Sequence, residues 1–156
     1  MKNDAEILDQ LLTQVCCIEP EGATKVLEAM SVMRIVFGES VRFKLLTSLV
    51  MNSSLNGLEG ICLGLINALL SKASSMAERV RLQSELQESG LDLKFLERKF
   101  KPLPAEDSAH KELQRWKDTY IDLNKVFSEK RSMSREIANL KEEIETLHLT
   151  ITVSFS

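Results

Sequence analysis

Apolar residues recur every three or four positions along almost the whole chain, which is the spacing of one face of a helix, and no strand-like alternation interrupts them. The strong breakers are few: Pro20, Gly38, the stretch from Asn52 to Gly57, Gly90, and the pair Pro102 and Pro104. The pattern therefore predicts an all-α chain cut into short helices. Ile7, Leu8, Leu11, Leu12 and Val15 form a first stripe with Asp4 as its cap. Val26, Leu27, Met30, Met33 and Ile35 form a second, ended by Gly38. A third helix is expected from Ser40 to Met51 through Phe43, Leu46 and Val50, and the turn-forming MNSSLNG separates it from a fourth, Leu58 to Leu70. A fifth, Met76 to Ser89, carries Val80, Leu82 and Leu86 on a modest apolar face, with Gly90 placed to end it.

The fourth segment, LEGICLGLINALL, is apolar on nearly every side, so it belongs between layers rather than on a surface. Helices of this length joined by short turns are the material of an armadillo-like or HEAT-like stack. At KPLPAEDS the prolines interrupt any continuous helix, and Asp107 or Ser108 can cap a new one. This predicts a helical interaction domain over 1–100, a hinge at 101–107, a charged helix over 108–149 and a tail at 150–156. From Glu97 to Glu145 there are 11 basic and 11 acidic residues, the mark of a solvated helix. Met133, Ile137, Leu140, Ile144, Leu147 and Ile151 alternate by four and three, which reads either as a coiled-coil seam that by itself supports only a weak homodimer or as an amphipathic helix folded back on its own domain. Trp116, Tyr120, Leu123 and Phe127 form a stripe in another phase, so the seam stutters near Lys130 or that stripe packs elsewhere. The closing LTITVSFS reads as a frayed tail.

Composition removes most other classes of function. The 156 residues carry 20 basic and 23 acidic side chains, a net charge of −3 that gives no general attraction to nucleic acid or an anionic membrane. The acidic amino terminus does not resemble a secretory signal, and no run approaches a membrane span, so a cytoplasmic location is expected. Cys16, Cys17 and Cys62 are read as buried, reduced thiols. His110 and His148 lie too far apart on the charged helix to share a metal, and acid pairs such as Glu142 and Glu143 sit on a solvated face. No Gly-rich phosphate loop is present. No catalytic site, metal or cofactor is expected, and protein partners remain.

Certain residues carry a resemblance. LLTQVCCIEPEGATKVLEAM, then FGESVRFKLLTSLV, then GICLGLINALLSKASSMAERVRLQSELQESGL resemble the diaphanous inhibitory region of formins over about residues 7–96. The matching motifs are Val26 to Met30, Arg42 with Phe43, Leu65 to Leu69, and Arg79 to Leu91. The resemblance implies a partial armadillo-like fold, the formin homology three region, whose groove holds the autoregulatory helix of a formin and is opened by a Rho-family GTPase, in control of the actin cytoskeleton. It places Ala68 on the groove. Ile61, Gly64, Leu65 and Ser71 share that face by helical spacing. The Pro-rich and formin homology two segments are not recognisable, so the chain is not expected to nucleate actin. A repeat array entered part-way is expected to leave Leu8, Leu12 and Val15 as a sticky edge. The competing reading is a coiled-coil scaffold or adaptor without an actin role.

Overall fold

The computed structural model describes residues 4–18, 20–53 and 57–156. Eight helices follow one another and no strand occurs among the described residues: α1 (Asp4–Ile18), α2 (Gly22–Val36), α3 (Lys44–Asn52), α4 (Leu58–Ser71), α5 (Met76–Glu88), α6 (Leu93–Phe100), α7 (Ser108–Thr119) and α8 (Leu123–Ser154). The chain divides into two compact units, Met1–Tyr120 and Ile121–Ser156. The first is the all-α, armadillo-like stack expected from the spacing.

Its centre is α4, which touches α1, α2, α3, α5 and α7. Leu58, Cys62, Leu63, Leu65, Ile66 and Leu69 are at most 2% exposed, so this helix has almost no solvent face. That accounts for a segment apolar all round, because each turn must satisfy several neighbours at once. Phe43, Val50, Leu82, Leu86, Leu96, Phe100 and Trp116 close the core from the flanking helices.

Local chemistry sets the ends. Asp92 and Asp107 accept hydrogen bonds from Phe95 N at 3.1 Å and Ala109 N at 2.8 Å, and Ser75 accepts from Glu78 N at 3.1 Å. At the end of α5, Gly90 adopts φ 108° while Leu91 N and Gly90 N donate to Leu86 O and Gln87 O, the paired bonds that stop a helix at a left-handed residue. Two glycines elsewhere permit close packing. A methyl on Gly22 would overlap the Val15 carbonyl of α1, and one on Gly60 would overlap Ser108 and the Ala109 amide at the start of α7.

The α3–α4 connection is held from outside. Lys99 Nζ, on α6, donates to the carbonyls of Val50 at 3.0 Å, Met51 at 3.2 Å and Ser53 at 2.8 Å, and lies 3.3 Å from the Glu59 carboxylate. A cation thus closes the carboxyl end of α3, and that same cation pairs with an acid in the first turn of α4, so both helix dipoles are complemented. Arg42 pairs with Glu85 of α5 and lies 4.9 Å over the Phe43 ring, tying the entry of α3 to α5.

Several sequence expectations change. The structure places the division after Tyr120, not at 101–107: the prolines bend the chain between α6 and α7, but α7 returns to pack on α4, with Leu113 and Trp116 in the core. The charged segment is therefore two helices. Asp122 caps the second by accepting from Asn124 N at 2.9 Å and Lys125 N at 3.2 Å. Trp116 and Tyr120 belong to the stack and Leu123 and Phe127 to α8, which removes the need for a stutter. The last residues are not a tail: α8 runs to Ser154, with the hydroxyls of Thr150, Thr152 and Ser154 donating to the carbonyl four residues back at 2.8–2.9 Å. Leu12 and Val15 pack against the core, and among the described side chains of α1 Ile7, Leu11 and Ile18 are exposed large apolar ones. The side chains of Asp4 and Leu8 and the middle of MNSSLNG lie outside the described residues. Ile35 is 72% exposed, because α2 carries more apolar residues than one face can bury.

Cys16 and Cys62 are buried but Cys17 is exposed. Burial, with Cys17 adjacent, pushes the Cys16 thiol up to about 11. Titration of the native protein with a thiol reagent is expected to modify Cys17 rapidly, and the other two only after denaturant is added. Replacing Lys99 with Met leaves Glu59 and three carbonyls without their cation and is expected to cost about 2–3 kcal/mol in urea unfolding. A Glu59→Gln change on that background should recover part of the loss.

Candidate partner-binding surface

The five residues singled out on α4 do not share one exposure. Leu65 is fully buried and Ala68 is 7% exposed, so both support the core. Ile61 and Gly64 are half-buried and line a shallow cleft between α1 and α7 with Gln10, Thr13, Ser108 and Glu112. Ser71 is exposed at the end of the helix, its hydroxyl donating to Ala68 O at 2.8 Å. The inward lean follows from α4 being enclosed on most sides.

The cleft has a polar wall. Asn67 Nδ2 donates to Glu112 O at 2.9 Å and to Glu112 Oε2 at 2.7 Å, which fixes α7 against α4. A methyl on Gly64 would meet the Glu112 side chain at 3.7–3.9 Å, ordinary contact. Small residues here therefore do two different things. Gly60 admits the start of α7, while Gly64 keeps the cleft floor low.

A second surface was not anticipated. An apolar cavity of about 280 Å³ opens between α1, α2 and α3, lined among others by Leu12, Met30, Met33, Phe37, Leu45 and Leu49. Arg34, Glu39 and Arg42 stand at its edge. Phe37 is 64% exposed and Leu45 46% exposed, and Met side chains adapt readily to a partner's shape. The signal was legible in SVMRIVFG, whose apolar residues exceed what one buried stripe can hold. Among the described residues no group of three or more His, Cys, Asp or Glu is placed to hold a metal. His110 is not a free surface residue: its Nε2 lies 3.2 Å from Leu103 O and its ring stands edge-on to Phe100.

The family described as Diaphanous FH3 Domain matches residues 23–152, from α2 through nearly all of α8. The chain belongs to the diaphanous FH3 family. The match extends well past residue 96, so α6, α7 and α8 fall within the FH3 region. Formin-F of Dictyostelium discoideum is 35% identical over 86 residues, an alignment that covers 53% of this chain and 7% of that protein. The chain thus corresponds to a small part of the length of this relative. A formin FH3 region is a regulatory and interaction segment, and no helix among the described residues is long and apolar enough to cross a membrane.

The two glycines give opposite expectations. Gly64→Ala should be tolerated or stabilise by about 0.5–1 kcal/mol, because a helix gains from the methyl and the site accepts it. Gly60→Ala should destabilise by at least about 2 kcal/mol, because backbone of α7 must move. Chemical denaturation of both variants checks the contrast.

Proposed function

We propose that this chain acts as a non-catalytic regulatory segment of a formin-type system, receiving an autoregulatory helix of a formin and contributing to autoinhibition and its release by a Rho-family GTPase in actin cytoskeleton assembly. The observation that carries the reading is the FH3 match across α2 to α8, on a stack that leaves an open cleft over α4. In this reading Ile61, Gly64 and Ser71 contact the partner helix, and Leu65 and Ala68 hold the surface from beneath. A low floor at Gly64 suits a helix backbone, and the cleft's amide and hydroxyl side chains suit its polar flank. The cytoskeletal location follows from the same reading.

A second reading, a coiled-coil scaffold without an actin role, is favoured by α8, which buries none of its residues in the chain.

Calorimetric titration with formin autoregulatory-helix peptides separates them. Binding by the wild type that falls at least about tenfold in Ile61→Asp but persists in Met33→Asp supports the α4 cleft. Loss in Met33→Asp alone would move the site to the α2–α3 cavity. An absence of binding by the folded wild type would leave the scaffold reading. Ile61 is the better probe than Ala68, since an aspartate at the buried Ala68 would confound folding with binding.

A further inference from the structure

The net charge of −3 conceals a division along the stack. Residues 1–92 carry 8 basic and 12 acidic side chains, whereas residues 93–120, which hold α6 and α7, carry 7 basic and 5 acidic. Two of those seven cations are committed inside the unit, Lys99 to Glu59 and Lys117 to Glu97. The other five, Lys94, Arg98, Lys101, Lys111 and Arg115, are exposed. Among the described residues, only Arg115 of these five has a carboxylate within pairing distance, Glu112 at 3.9 Å.

Helical spacing gathers them. Leu96 and Phe100 fix the inward side of α6, so Lys94, Arg98 and Lys101, spaced by four and three, run along its outward side. Ala109, Leu113 and Trp116 fix the inward side of α7 and turn Lys111 and Arg115 outward. The two groups meet at an open depression lined by Lys101, Leu103, His110, Lys111 and Arg115. Asp118 lines it too, accepting from Gln114 Nε2 at 2.7 Å, and Glu106 is exposed in the adjoining loop. Five cations thus outnumber two acids.

An apolar projection accompanies the cations. Pro102, Leu103 and Pro104 are all exposed, and their loop is fastened: Leu103 N donates to Phe100 O at 2.9 Å, and Leu103 O lies 3.2 Å from His110 Nε2. The two proline rings hold φ as well. A loop fixed in this way loses little conformational freedom on entering an interface.

We propose that the α6–α7 surface binds the anionic face of a lipid bilayer, its cations among the headgroups and Leu103 with its flanking prolines at the boundary with the acyl chains. Lysine and arginine stems lie along such a boundary while their charges stay in water. Each cation held near an anionic leaflet adds an attraction that salt screens. A nucleic acid or an acidic peptide would use the cations and gain little from an apolar loop among them. The surface shares no lining residue with the α4 cleft, so it stands apart from the partner-helix reading.

Sedimentation of the full chain with vesicles of phosphatidylcholine, alone or mixed with phosphatidylserine, tests the assignment. Binding is expected to the mixed vesicles only, falling as salt is raised. Lys101→Glu with Lys111→Glu should weaken it at least about tenfold, and Leu103→Ser about fivefold. These side chains are exposed, so the urea unfolding midpoint of each variant should match the wild type. Arg131→Glu with Arg135→Glu makes the same charge change on α8 and should leave binding in place. No binding to mixed vesicles at low salt, equal binding to neutral ones, or an equal loss in the α8 variant would overturn the proposal. If Leu103→Ser binds as the wild type does while the charge reversals abolish binding, the surface is a general polyanion site and the membrane assignment fails.

Discussion

The first unit depends on a helix that has nowhere to face. α4 is covered by neighbours along most of its length, so its residues are chosen for fit rather than for polarity. A change of one methylene there is felt in several interfaces at once, since interiors are packed to near-crystalline density. The flanking helices then need only one apolar face each, and their outer faces are free to carry charge. Gly60 shows how tight this becomes: the start of α7 comes close enough to α4 that no side chain fits between them.

That constraint was readable in LEGICLGLINALL, whose apolar residues occur at every helical angle. The stop signals at Gly38 and Gly90 were equally readable, since both end helices in the left-handed conformation. The break at Tyr120 to Asp122 was not. It contains neither proline nor glycine, and Asp122 is one of many acids in that stretch. The prolines at 102 and 104 drew the boundary to themselves, although they only redirect the chain within the stack. Patterns report where helices stop, but which helices pack together depends on contacts far apart in sequence.

The candidate surface was half legible. Helical spacing groups Ile61, Gly64, Leu65, Ala68 and Ser71, yet spacing carries no information on what covers them, and their exposures differ. α7 and α1 cover part of the group, leaving the cleft at Ile61 and Gly64. The surplus of apolar residues in SVMRIVFG marks α2 as exposing some of them, but the cavity itself forms only where α1, α2 and α3 meet, which no single segment encodes. The FH3 match takes in the α2, α3, α4 and α7 parts of these surfaces but not α1, and it reaches into α8, so the family relation joins elements that composition alone had set apart.

Lys99 makes the end of α3 and the start of α4 depend on one side chain. The two helix ends are fastened by a side chain arriving from α6, which reaches the carbonyls of Val50, Met51 and Ser53 and the carboxylate of Glu59. One side chain thus acts on three elements at once, so removing its charge releases the end of α3, the start of α4 and α6 from one another together rather than one at a time.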